Sequence, residues 1–358
     1  MKNKTVIIIA ALCVMIMGAC FSPWDGSGDQ GNIVINVGNG GELTQRAVPG
    51  ATEYTIILTT SGETSISKTT TGGAVDFSVP PGPWNILVRA RGWSEASGKM
   101  ELKGYGEKDA EVKAGAKTDV TVIVNAPESG VTEVASAWTD LRNVLEGTTT
   151  PGESEVVLIT RNLQVNNYIE LGIGKNITLL AKDHVTITKG NDTQNSLFRV
   201  PGGSSLTLGT DQRMSGTITI NGDHKNGNSL IYVGTNRLRS TTSDSSVPTL
   251  TMYEGVTLTN NHANASDRGG GVTVEGGTFN MRGGTISGNS SAANGGGVYV
   301  DSKGTFTKTI GTIYGNTGDS NGNRAAGNKG HAVYFEDSRP DMDRTAGPQN
   351  TFSGSLWG

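Results

Sequence analysis

The residues with the clearest chemical potential sit at repeated places in apolar–x–apolar triplets. These triplets are Ile231-Tyr232-Val233, Val272-Thr273-Val274, Val298-Tyr299-Val300 and Val333-Tyr334-Phe335. In a strand, the middle residue of such a triplet points away from the buried face. Tyr232, Tyr299 and Tyr334 therefore form an outward stripe whose rings can stack on sugars or pack in a protein interface. An acid follows the later triplets, as Glu275, Asp301 and Glu336, with Asp337 adjacent to the last. Like charges about 5 Å apart repel by roughly 0.8 kcal/mol even in water. Bound Ca²⁺ would relieve that repulsion, and so would splayed, solvated side chains.

Catalytic chemistry is harder to assemble. Cleavage of a sugar chain needs paired carboxylates, or Ca²⁺ ligands with a proton-abstracting base. Asp183, Asp192, Asp211, Asp223 and Arg199 are of suitable type, but they neither repeat nor cluster in the sequence. His184, His224, His262 and His331 show no metal-ligand spacing. The sequence thus assigns no catalytic residue, no metal and no cofactor, and the enzyme reading stays as a rival.

The elements that must position these residues are short strands. Leu197-Phe198-Arg199-Val200, Leu230 to Val233, Gly271 to Val274, Gly297 to Val300 and Ala332 to Phe335 superimpose. A second set follows at matching offsets: Leu206-Thr207-Leu208, Leu250-Thr251-Met252, Phe279-Asn280-Met281 and Phe306-Thr307-Lys308. A third set comprises Thr217 to Asn221, Thr257 to Asn261, Thr285 to Asn289 and Thr312 to Asn316. Three strands per repeat, separated by turns, describe a right-handed parallel β-helix over residues 131–358. Spacings of 33, 41, 26 and 35 residues separate Phe198, Ile231, Val272, Val298 and Val333. The longer repeats must carry surface inserts, at Arg237–Pro248 and Gly318–Lys329. Two inward columns are expected: Phe198, Ile231, Val272, Val298, Val333, and Ile218, Leu258, Ile286, Ile313. Asn221, Asn261, Asn289 and Asn316 are expected to stack at a turn, with Gly269 to Gly271 and Gly295 to Gly297 at the opposite corner.

Residues 32–127 read as a small β-sandwich spacer. Its clearest strands are Ile33–Val37, Tyr54–Thr60, Ala74–Val79, Trp84–Arg91 and Lys117–Val124, with Pro80 to Pro83 marking a connection. Trp138 to Glu146 has helical spacing, with Ser136 or Thr139 available as N-cap. A helix there would close the open apolar end of the first repeat. The 52 glycines among 358 residues, with 6% aromatics, suit an all-β chain rich in turns.

The N-terminus addresses the chain. Lys2 and Lys4 precede an apolar run from Val6 to Met17, which is shorter than the ~20 residues of a membrane span. Gly18-Ala19-Cys20 then resembles the cleavage site of a bacterial lipoprotein signal. The resemblance implies removal of residues 1–19, a diacylglyceryl group on Cys20 and a membrane partner through that lipid. Residues 20–31 would be a flexible tether. The other cysteine, Cys13, lies in the signal, so an internal disulfide in the mature chain is not expected. Losing Lys2 and Lys4 leaves 27 basic against 33 acidic residues, a formal charge of −6. No basic cluster offers a nucleic-acid footprint.

The Gly-Gly-Gly-Val and Thr-Ile-Ser-Gly-Asn repeats resemble bacterial surface proteins with polymorphic outer-membrane protein-type or pectate-lyase-like β-helix repeats. That likeness covers about residues 131–358. The lipoprotein-like N-terminus, the regular repeats and the lack of a catalytic cluster together point to a non-catalytic adhesive role at the cell surface, with a host or neighbouring-cell protein or glycan as partner. The pectate-lyase-like likeness implies the rival, a polysaccharide-binding or polysaccharide-degrading enzyme. By likeness to enteric lipoproteins, Phe21 after the cysteine is consistent with the outer membrane.

Overall fold

The computed structural model describes residues 30–38, 48–60, 65–147, 152–190, 195–210, 216–234, 246–264, 268–316, 320–326, 330–336 and 352–353. The described residues are all-β apart from one short helix, and the chain divides into units of residues 1–126 and 127–358. Among the described residues no helix is long and apolar enough to cross a membrane. Cys20 and the N-terminal run read above as a signal lie outside them.

The described residues of the first unit form seven strands: β1 (Gly31–Gly38), β2 (Glu53–Thr59), β3 (Ser65–Thr70), β4 (Ala74–Val79), β5 (Gly82–Ser94), β6 (Lys99–Val112) and β7 (Lys117–Ile123). They form two sheets, ordered β4-β1-β7 and β3-β2-β5-β6. Alternate residues of both sheets meet in one core that includes Ile33, Ile35, Ile56, Leu58, Phe77, Trp84 and Ile86. The proline run interrupts pairing for only two residues, since Gly82 and Pro83 already pair with Val112 and Glu111. β3 and β6 lack apolar alternation and were not expected from the sequence. β6 carries glycines where the backbone of 123–125 crowds it: a Cβ at Gly106 would lie 2.1 Å from the Ile123 carbonyl oxygen. Within this unit β1 pairs parallel to β7, from Asn32 opposite Lys117 to Gly38 opposite Ile123.

The second unit is built of parallel ladders. In a six-stranded sheet, Ile169, Phe198, Ile231, Val272, Val298 and Val333 are successive register partners. Ile177, Leu206, Leu250, Phe279 and Phe306 are likewise partners in a larger sheet, as are Leu179, Leu208, Met252, Met281 and Lys308. One contiguous apolar cluster runs through both columns. Lys308, at an inward position, is buried, and that burial lowers its pKa.

Three expectations need correction. Ile220, not Ile218, is the register partner of Leu258, so the second column is Ile187, Ile220, Leu258, Ile286, Ile313. The asparagine ladder is Asn261, Asn289 and Asn323, each at most 1% exposed, whereas Asn316 is exposed and Asn221 pairs with Thr259. Asn289 Oδ1 accepts from Asn261 N–H (3.1 Å), and Asn323 Oδ1 from Asn289 N–H (2.9 Å). The Asn289 amide donates to the carbonyls of Leu258 and Ser287, each at 3.0 Å. Buried Lys189 ends the ladder, its Nζ 3.3 Å from Asn261 Oδ1. Finally, a fourth ladder of two-residue strands follows the asparagines: Asn226–Gly227, His262–Ala263, Ser290–Ser291 and Arg324–Ala325. Segments so short show no periodicity in sequence.

The helix spans Trp138–Glu146 as expected, but its N-cap is Ala137, without a side-chain hydrogen bond. Leu141 and Leu145 enter the second unit's core with no exposed surface. The last turn has no basic residue of its own. Lys175 supplies the cation from the sheet side, donating from Nζ to the Val144 carbonyl, where the helix dipole is negative. Burial depresses the Lys175 pKa, an effect that Glu155, 3.9 Å away, opposes.

Candidate functional site

The outward positions of the six-stranded sheet form one file: Glu170, Arg199, Tyr232, Thr273, Tyr299, Tyr334. Its upper part is an aromatic–cation cluster. The Arg199 guanidinium lies 5.7 Å from the Tyr168 ring and 5.4 Å from that of Tyr232, and 3.9 Å from Glu170. Tyr232 Oη donates to Glu275 (2.9 Å). Thr273 separates this cluster from a second one, where Tyr299 and Tyr334 stack at 5.9 Å with planes 9° apart.

Tyr299 has no exposed surface. Arg268 covers it, with its guanidinium 5.0 Å from the ring centroid, one Nη donating to Tyr299 Oη and ion-paired to Glu336 at 2.6 Å. Burial, reinforced by its hydrogen bond with Glu336, raises the Tyr299 phenol far above its usual pKa. Tyr232 and Tyr334 remain partly exposed.

The three acids of the proposed Ca²⁺ file face different groups. Glu275 accepts from Tyr232, and Glu336 from Arg268. Asp301 Oδ1 accepts from the N–H groups of Gly276 and Lys303, both at 3.0 Å. Among the described residues no group of three His, Cys, Asp or Glu side chains is placed to hold a metal. Of the residues weighed for catalysis, Asp192 and Asp211 lie outside the described residues. Asp223 pairs with Lys225 at 3.1 Å, and Asp183 is exposed. His184 and His262 bond Thr217 and Ser290 of neighbouring strands, at 2.8 and 2.6 Å. His331 Nδ1 accepts from Ala325 N–H (3.0 Å). These contacts join neighbouring strands and turns, and they do not converge on one point.

A second feature escaped the sequence reading. Where the second and third strand of each repeat meet, the chain turns at a glycine-rich corner: Gly209, Gly255, Gly283-Gly284 and Gly311. A Cβ at Gly283 would stand 2.3 Å from Glu254 N, so this turn stacks on the preceding one only without a side chain there. The corner frames a groove of about 1000 Å³ whose lining runs from Leu180 to Ile310. Tyr253 and Arg282 stand together on its wall, with Nη1 3.4 Å from Tyr253 Oη and the guanidinium 6.0 Å from the ring. Ile310, the register partner of Arg282, is 46% exposed. The signal available in sequence was the residue beside each corner glycine, but only stacking reveals that Tyr253, Arg282 and Ile310 are neighbours.

Compared with protein-family models, curated proteins and solved structures, the chain matches none.

Proposed function

We propose that this chain is a lipid-anchored protein of the bacterial cell envelope, placed at the outer membrane or cell surface. Its second unit is a right-handed parallel β-helix that presents a binding surface and is non-catalytic. Its first unit is a sandwich-type spacer between the lipid tether and that helix along the chain. The observation that carries the reading is the unbroken one-to-one register of parallel strands from Ile169 to Val333. Six strands stacked about 4.8 Å apart give a rise of about 24 Å, and the strong right-hand bias of parallel crossovers sets the hand. A framework with apolar columns inside and fixed side-chain files outside suits repeated, shallow recognition. The anchor rests on Lys2, Lys4, the apolar run and Cys20, since a lipid chain with a second acyl group holds stably.

Cys20→Ala tests the anchor. The full chain expressed in a diderm bacterium should lose labelled fatty acid and move from the membrane to the soluble fraction. Unchanged detergent partitioning would remove the lipid from the proposal. Incubation of the unsubstituted chain with polysaccharides should release no reducing sugar or unsaturated ends; any turnover would replace the adhesive reading with the enzymatic one.

A further inference from the structure

We infer that the corner groove is the ligand site and that its ligand is an extended, electrically neutral glycan, an inference that rests on the binding role proposed above. Three observations lead there. First, the groove is long: its lining takes residues from five successive strands of the larger sheet and their corners, at Leu180, Gly209, Tyr253, Arg282 and Ile310. Four strand spacings make about 19 Å, which fits a polymer better than a compact molecule.

Second, the chemistry of the lining is that of sugar recognition. Tyr253 offers a ring and Ile310 an exposed apolar surface for the C–H faces of pyranose rings. Asn280 and Thr307, register partners on adjacent strands, offer short hydrogen-bonding groups toward ring hydroxyls. Strand spacing repeats them at an interval close to the rise of one pyranose in an extended chain. A peptide would need an unpaired strand edge to add its own backbone bonds. Here the walls are interior strands, laddered on both sides from Thr207 through Thr251 to Asn280, so only side chains are offered.

Third, the charges balance. Glu254 and Arg282 are the only charged residues of the described lining. Together they can bridge vicinal hydroxyls, as acceptor and donor, without a net field for a polyanion. Arg282 is held in place by Tyr253, which reduces the ordering cost of binding.

The full chain in detergent micelles should be screened on an array carrying neutral and uronate-containing glycans, then titrated with the neutral hexasaccharide that scores. Tyr253→Ala and Arg282→Ala should each weaken that binding about tenfold or more, the equivalent of ~1.4 kcal/mol. Tyr334→Ala, outside the groove, should leave it unchanged. Circular dichroism checks folding; if Tyr253→Ala unfolds, Glu254→Gln and Ile310→Ser, both at exposed positions, carry the test. No binding to any neutral glycan, preference for uronate chains, or groove variants that bind normally would each overturn the inference. Binding lost in Tyr334→Ala but kept in Tyr253→Ala would move the site to the sheet face and leave the adhesive role standing. Turnover of the bound glycan would instead unseat that role while the groove assignment stood.

Discussion

At the scale of single residues, Tyr299 shows how a side chain read as an outward platform can end as part of the wall. The alternation correctly gave its direction, away from the apolar column, but alternation carries no information about Arg268, which arrives from a turn 31 residues earlier and closes over the ring. The consequence is titratable. Because the phenol's folded pKa is raised above its unfolded value near 10, its protonated form favours the folded state. That contribution is complete below pH ~10 and is lost as pH climbs through the folded pKa. Alkaline titration followed by tyrosinate absorbance should show a late phenol that disappears in Tyr299→Phe. If the late step persists in that variant, the assignment fails. The asparagines offer a second contrast within one residue type. Asn289→Ala strands two carbonyls and the Asn261 N–H in a site without exposure, and should cost about 2–4 kcal/mol in urea unfolding. Asn316→Ala, at an exposed position, should fall within about 0.5 kcal/mol of the parent.

Among the elements, what was legible followed from burial. Strands with one apolar face, such as Ala74–Val79 and Thr249–Met252, announce themselves by alternation, and five short triplets gave the register of five strands of the six-stranded sheet. Less legible were strands defined by their neighbours. β6 reads as charged and glycine-rich because one face meets solvent and its glycines make room for backbone at 123–125. The Arg324–Ala325 strand is too short to carry a period, and with Asn323 it displaced Asn316 from the ladder, because Asn323 follows Asn289 by 34 residues where Asn289 follows Asn261 by 28. The corner groove was unreadable for a related reason: Tyr253, Arg282 and Ile310 are 29 and 28 residues apart in sequence and share no motif. The helix was visible because its apolar residues recur on one face. Leu141 fills the end of the core with no exposed surface, so Leu141→Ala should cost about 2–5 kcal/mol and lower the urea midpoint. A loss below about 1 kcal/mol would mean that the helix is not a lid on which the first ladder depends.

For the molecule as a whole, the two units place their backbone bonds differently. The second places them between parallel strands of successive repeats, each repeat giving one strand to the six-stranded sheet and two to the larger one, as with Ile231–Gly234 beside Thr249–Met252 and Val256–Thr259. The first holds its first and last strands side by side, with seven register partners between β1 and β7. Being parallel, these strands receive the chain at Gly31 and release it at Ile123 from opposite ends of the pair. Any tension between an anchored end and a distal grip would therefore slide β1 along β7 and strain the whole row of amide–carbonyl links at once, instead of peeling them apart singly like a zip. Such an arrangement resists traction, the load that the anchored, adhesive role proposed above would place on it.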